Sequence, residues 1–251
     1  MDYDVMLDIA RRRRSIRLFK RDPVSDADIE KVLEVGRWAM SGGNGQPWEF
    51  VVVRDAPVKA KIAKIIHERT SHSYEFELTR FPEYRQPGAL ADGAKNQAKL
   101  VNSASAVIVV CGDPRTFQAS VLVNQFLDGE WDIFHMNVGN AAMMICLAAA
   151  SLGLGTAWLT TTYPPREFEL KELLGIPREF KIYVIIPIGY PDYVPPPSYR
   201  RGLKEITHWG KYDQARYRTD KDIREWLIKL RTKTHTSYHL DEITPTKKKP
   251  A

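Results

Sequence analysis

Three short runs rich in β-branched and aromatic residues constrain the fold of this chain more than any other feature. They are Trp48 to Val53 (WEFVVV), Ala106 to Cys111 (AVIVVC) and Lys181 to Tyr190 (KIYVIIPIGY). Each is too short for a core helix and too apolar for a loop, so each reads as a buried strand. Pro187 has no N–H to give to a ladder, which places the last run at a sheet edge or a bulge. Thr156 to Thr162 (TAWLTTT) reads as a further strand ending in three hydroxyl residues.

Helical periodicity fills the intervals between these runs. Asp4 to Arg14 is one such segment, and a second covers about 25 to 40, where Ser25 and Asp28 have the spacing of a capping pair. Further helices are expected over Pro57 to Arg69 with Ile62, Ile65 and Ile66 inward, Asn96 to Val101, Asp132 to Ser151, Arg166 to Leu174, and weakly near Asp222 to Leu230. The window Ile133 to Leu152 is about long enough to span a bilayer, but it carries His135, Asn137 and Asn140. Its many small residues suit close packing inside protein, so no membrane segment is expected. Trp38, Trp48 and Trp158 are expected in the core, as is Cys146. Residues 72 to 93 show no period and read as a lid or long loop.

Composition narrows the classes. In 251 residues the hydrophobic fraction of 43% supports a sizeable core. Cys111 and Cys146 are far apart in sequence and in no C-x-x-C spacing, so neither a disulfide framework nor a zinc site is expected, and a reducing, cytoplasmic setting fits. His67-Glu68 with His72 spaces its histidines five apart where a helical metal motif needs four, so no metal is assigned. The N-terminus has acids before its basic run and no apolar core, the wrong order for a secretory signal. The formal charge of +6 is concentrated in Arg11 to Arg14 with Arg17, Lys20 and Arg21, and in the tail after Arg200. Neither cluster carries an aromatic-studded or zinc-finger signature, so nucleic acid is not the expected partner.

Three segments have chemistry suited to a planar, phosphorylated ligand. Arg13-Arg14-Ser15-x-Arg17 offers cations and a hydroxyl, and extended pairing would point Ser15 and Arg17 the same way. Met40 to Phe50 (MSGGNGQPWEF) packs glycines and amides into a turn where backbone N–H groups can approach a ligand. Asn96-x-x-Lys99 puts an amide and an ammonium on one helix face. Each has an ordinary structural reading as well: arginine runs are commonly solvated, glycines serve turns, and threonines suit strands. Their joint order is what points to a site.

That order resembles the nitroreductase family of flavin mononucleotide (FMN) enzymes over most of residues 9 to 210. The carrying motifs are RRSIRLF, SGGNGQPWEFVVV, the long small-residue helix closing in LGLGTAWL, and IPIGYP followed by RRGLKEITHW. TTT at Thr160 to Thr162 and PIGYP at Pro187 to Pro191 are similar to the branch that holds iodotyrosine deiodinase and the flavin destructase of cobalamin synthesis. The resemblance implies an α+β sandwich, a mostly antiparallel central sheet flanked by helices, in an intertwined homodimer with shared flavin sites. It implies FMN contacts from Arg13, Arg14, Ser15 and Arg17, with Arg17 nearest the pyrimidine edge, and from Ser41, Gly42, Gly43 and Asn44 of the partner subunit's loop. It also implies Thr160 and Thr161 at the flavin N5, Arg200 and Arg201 at the phosphate, and Asn96 and Lys99 nearby.

The expected activity is FMN-dependent transfer of electrons from NAD(P)H or another donor to a small aromatic acceptor, which could be electron-poor, a quinone, a nitro compound or a halogenated phenol. A cofactor of that kind does the redox chemistry, so no nucleophilic triad is needed. Reductive dehalogenation and flavin destruction are narrower alternatives, and a non-catalytic basic interaction protein on the same fold is an alternative of another class. Residues 1–210 are expected to form the FMN-binding domain. Residues 211–251, beyond the stiff spacer Pro195-Pro196-Pro197, form an extension that wraps a partner or is partly disordered.

Overall fold

In the computed structural model of the chain, the described residues are 2–70, 97–118, 130–160, 164–193, 195–197 and 199–233. The lid expected over 72 to 93, Asn96, Thr161 and Thr162 lie outside them.

Helix α1 (Tyr3–Arg12) starts at Asp2, whose carboxylate accepts from the Asp4 N–H at 3.2 Å. Helix α2 (Asp26–Arg37) starts at Ser25, whose hydroxyl accepts from the Asp28 N–H at 3.1 Å, as the spacing predicts. A 3-10 turn (Gly42–Asn44) leads into β1 (Trp48–Val53), α3 (Ala56–Thr70), the helical residues 97–103 (α4), β2 (Ala106–Gly112) and α5 (Arg115–Gln118). The long α6 (Glu130–Ser151) is followed by β3 (Gly155–Thr156), β4 (Leu159–Thr160), α7 (Pro164–Leu174), β5 (Lys181–Gly189), α8 (Leu203–Ile206) and α9 (Asp220–Lys233).

The sheet runs β1-β2-β5-β3, with β4 also on β5, and every pairing is antiparallel. Strand alternation divides β2 between two cores. Val107, Val109 and Cys111 face one, with α3, α4 and α7 over them. Ala106, Ile108 and Val110 face the other, under α2 and α6. This is the α+β arrangement expected, with helices on both faces of an antiparallel sheet. Residues Ile133–Ser151 are long and apolar enough to cross a membrane. In this fold Phe134, Val138, Ala142, Ile145, Cys146 and Ala149 of that helix are buried in the second core, which accounts for its composition.

Four expectations are corrected. β1 is at the edge of the described sheet, and only Trp48 and Val53 of its six residues are buried. β5, in contrast, is central although it contains Pro187. The Pro187 carbonyl accepts from the Ala157 N–H at 3.2 Å, so its missing N–H falls on that same side, where pairing breaks between β3 and β4, and no bond to β2 is lost. The strand expected over Thr156 to Thr162 is two short pieces with Ala157-Trp158 between them. Trp38 is exposed, with its indole N–H on Glu34 at 2.9 Å and the Arg37 guanidinium 5.2 Å from its ring.

Candidate functional site

The basic segment after α1 lies along the free side of β3. The Ile16 N–H donates to the Thr156 carbonyl at 2.9 Å, Ser15 bridges Thr156 in parallel, and Phe19 bridges Pro191. Ile16 is buried between half-buried Ser15 and Arg17, the alternation an extended segment demands, and Phe19, buried as well, falls out of that period. The approach is tight enough to require glycine at 155: a Cβ there would lie 2.5 Å from Ile16 Cγ1. A pocket of about 140 Å³ follows, lined by Arg13, Arg14, Gly153, Gly155, Thr156 and Pro191 among others.

Arg14 is the most informative residue of the site. Its Nε is buried without a hydrogen-bond partner, and one Nη donates to the Arg13 carbonyl at 3.1 Å. Burial comes first among the causes that lower its pKa, followed by the neighbouring charges of Arg13 and Arg200. The charges of Arg13 and Arg200 thus act on Arg14, and no carboxylate among the described residues pairs with it. Such a cluster is costly unless an anion completes it, and a phosphate fits the guanidinium geometry. Arg201, in contrast, turns to its own turn of chain, donating to the Glu205 carbonyl at 3.1 Å and pairing with its carboxylate at 3.7 Å.

Arg17 donates through its backbone N–H to the Tyr193 hydroxyl at 3.2 Å and through Nη1 to the Ser15 carbonyl at 3.4 Å. Thr160 is exposed at the end of the sheet, paired with Val184. Lys99 is exposed on α4. Asn96 and Thr161 fall outside the described residues.

The glycine loop is built differently. Ser41 Oγ accepts from the Gln46 N–H at 3.0 Å, and its carbonyl accepts from the Asn44 N–H at 3.0 Å. Helix α6 grips the loop from outside: Asn137 Oδ1 accepts from the Gly42 N–H at 3.1 Å and Asn140 Nδ2 donates to the Met40 carbonyl at 3.2 Å. Gly43 has φ 58°, and so do, unusually, two non-glycine neighbours: Asn44 at 54° and Gln46 at 44°. Left-handed non-glycine residues cost about 1 kcal/mol each or more, and persist where the surroundings impose them.

These two regions do not meet within one chain. The loop sits on α6 near 137–140, and the arginine pocket lies past residue 150 of the same helix. At 1.5 Å per residue they are about 15–20 Å apart along the helix. Sequence reasoning singled out the loop and the arginines but missed what holds them, namely Thr156, Tyr193, Asn137 and Asn140. The two asparagines had left a signal, as amides in the otherwise apolar stretch of α6.

Downstream of Arg200 the chain ties itself into a short arm. Arg216 donates to the Lys204 carbonyl at 2.5 Å and the Thr207 carbonyl at 2.9 Å, pairs with Asp213 at 3.2 Å and lies 2.7 Å from His208 Nδ1. Its apolar side chains face outward; Trp209 is 92% exposed, far beyond what a core residue shows.

The family model described as "Nitroreductase family" matches residues 10–190. A protein of Archaeoglobus fulgidus provisionally named NADH dehydrogenase/NAD(P)H nitroreductase is 33% identical over 181 residues, covering 71% of this chain and 81% of that protein. The iodotyrosine deiodinase of Thermotoga neapolitana is 28% identical over 197 residues, covering 78% of this chain and 94% of that protein. Among solved structures, oxidized iodotyrosine deiodinase bound to FMN and 3-iodo-L-tyrosine superposes with a TM-score of 0.63 at 23% identity, covering 82% of this chain and 100% of that one, a likeness of fold.

Proposed function

Because the chain belongs to the nitroreductase family, we propose that it is an FMN-dependent oxidoreductase working as a homodimer. The observation that carries this reading is the buried, unpartnered Arg14 Nε, on whose guanidinium the charges of Arg13 and Arg200 also act. Arg14 and Arg200 would hold the phosphate, with Arg13 beside them and Arg201 behind. Arg17 would lie at the pyrimidine edge, where a fixed guanidinium favours the anion left by reduction. Ser15 shares the face of Arg17, Thr160 and Thr161 would lie near N5, and Asn96 and Lys99 would close the pyrimidine side. Bound there, FMN would take two electrons from NAD(P)H and pass them to a small electron-poor acceptor in a ping-pong cycle.

The 15–20 Å between loop and arginines is too long for one protomer to surround a single ring system. Ser41, Gly42, Gly43 and Asn44 would therefore serve the flavin of a second copy. Exposed Met136 and Met143 on α6, beside the loop's asparagine supports, give that copy an apolar surface, and the arm's exposed Trp209 gives it another, in a cytoplasmic dimer. Residues 211–251 would extend this wrapping.

The test is an absorption spectrum of the purified protein followed by titration of the apoprotein with FMN. A flavin spectrum, or submicromolar binding on reconstitution, is the expected result; a colourless protein that no FMN restores rejects the reading. A halogenated phenol as acceptor is favoured by the similarity to the Thermotoga deiodinase over nearly all of that protein's length. Halide release from halophenols by the reduced enzyme checks it.

A further inference from the structure

A cleft of about 1520 Å³ lies beside the candidate flavin site and shares only Lys99 with the residues proposed to hold FMN. It exceeds the ~300–1,000 Å³ usual for small-molecule sites. One wall is the chain that continues from Arg17, Leu18 to Pro23; the other is the end of α4, Asn102 to Ser105; Lys59 of α3 closes the floor. Four cations line it, Lys20, Arg21, Lys59 and Lys99, against the carboxylates of Asp22 and Asp192.

Lys59 distinguishes this cleft from a solvated basic surface. The residue is 8% exposed, and among the described residues its ammonium has one hydrogen bond, to the Ala104 carbonyl at 2.5 Å. An ammonium carries three donors, and no carboxylate among the described residues pairs with this one. Burial, then the charge of nearby Arg54, pushes its pKa below the usual lysine value. The Ala104 carbonyl at the end of α4 explains how one donor is satisfied and why a cation is tolerated at a helix C-terminus. It does not explain why the ammonium lines a polar cleft with Lys20, Arg21 and Lys99 around the same space.

We propose that this cleft is an anion subsite for the phosphates of a nicotinamide dinucleotide, the reductant whose nicotinamide end is used at the adjoining flavin. The choice of occupant rests on the oxidoreductase reading; the anion site does not. Lys59 binds one phosphate from below, while Lys20 and Arg21 close over it from the exposed rim. Continuity with the flavin site comes from the chain itself, since Leu18 of the cleft follows Arg17 and Asp192 of the cleft follows Pro191 of the arginine pocket, and from Lys99, which lines the cleft and is assigned to the flavin by the proposal above. Hydride leaves the dihydronicotinamide as the oxidised dinucleotide is released, so the subsite changes binding and not the electron count.

Two variants separate the possibilities. Lys59→Met replaces a buried charge with an apolar side chain of similar length, a change that buried ionic sites commonly tolerate, and the double variant Lys20→Ser, Arg21→Ser alters only exposed residues. Calorimetric binding of inorganic pyrophosphate to the purified protein is read first, and at least a fivefold loss of affinity is expected in both variants. Steady-state reduction is read second. KM for NAD(P)H should rise about tenfold with kcat and FMN content unchanged, while N-benzyl-1,4-dihydronicotinamide, which has no phosphate, should be used equally by all three proteins. Equal loss with both reductants, or pyrophosphate affinity unchanged in both variants, overturns the subsite. Pyrophosphate binding that depends on Lys59 in a protein that takes no electrons from NAD(P)H would keep the anion site, overturn its occupant and leave the flavin reading to its own spectral test.

Discussion

The two ends of α6 hold opposite kinds of tension. Past its C-terminal end, Arg13 and Arg14 line a pocket where the charges of Arg13 and Arg200 both act against that of Arg14. Near its N-terminal half, the glycine loop has its polar groups met by Ser41, Asn137 and Asn140, and its cost lies in backbone torsions at Asn44 and Gln46. A ligand would relieve the first directly, by supplying charge. It would not relieve the second, whose shape is imposed from inside the chain and is ready before any ligand arrives. On the proposed reading, the first region binds the cofactor and the second is presented to it.

That contrast predicts which measurement each region moves. The largest effect is expected at the arginines: Arg14→Gln should weaken FMN binding about 10- to 100-fold, the scale of losing charge-assisted hydrogen bonds of ~1.5–3 kcal/mol. The apoprotein's melting temperature should not fall, since the substitution removes like-charge crowding. A drop in Tm together with unchanged FMN affinity would break the comparison. Next in size, Asn137→Ala removes the acceptor of the Gly42 N–H and should cost about 1 kcal/mol, or ~2–4 °C in Tm for a chain of this size. It should affect FMN binding only in the assembled dimer, a difference that titration at several protein concentrations would read.

Smaller again, and of opposite sign, Asn44→Gly relieves a left-handed residue and should stabilise by a few tenths to about 1 kcal/mol by thermal unfolding. The smallest expected signal is thiol reactivity. Burial comes first in raising the Cys111 thiol to about 11, and burial also raises Cys146 against the lowering effects of Thr156 and Arg13. Both should stay protonated at pH 8, because a raised pKa keeps the neutral thiol up to a higher pH. Iodoacetamide should then label neither until the protein is unfolded; rapid labelling of Cys146 in the native state would mean that Arg13 dominates its surroundings.

Much of the fold was legible because it depends on local pattern. The β-branched runs became β1, β2 and β5, and the Ser25 to Asp28 spacing became a helix cap. The misreadings were all matters of neighbours. Pro187 pointed to an edge position or a bulge, yet its strand is central and in register there, because the gap in pairing beside Ala157 absorbs the missing donor. Trp38 looked like core, yet Glu34 and Arg37 hold it at the surface. At the site, the basic segment could be chosen from its residue types, but the separate roles of Arg200 and Arg201 could not. Adjacent residues with the same charge differ only in what each one reaches.

The order of residues by itself determined which stretches could be strand or helix and which carried cations, amides and glycines, since propensity, periodicity and charge are properties of short segments. Only the tertiary structure decided that Arg14 comes under the charge of Arg200, far along the chain, that the glycine loop stands more than half a helix length away, and that Lys59 is buried beside an open cleft. Burial and electrostatic crowding arise between segments distant in sequence, and their magnitude is set by distances that no single segment contains.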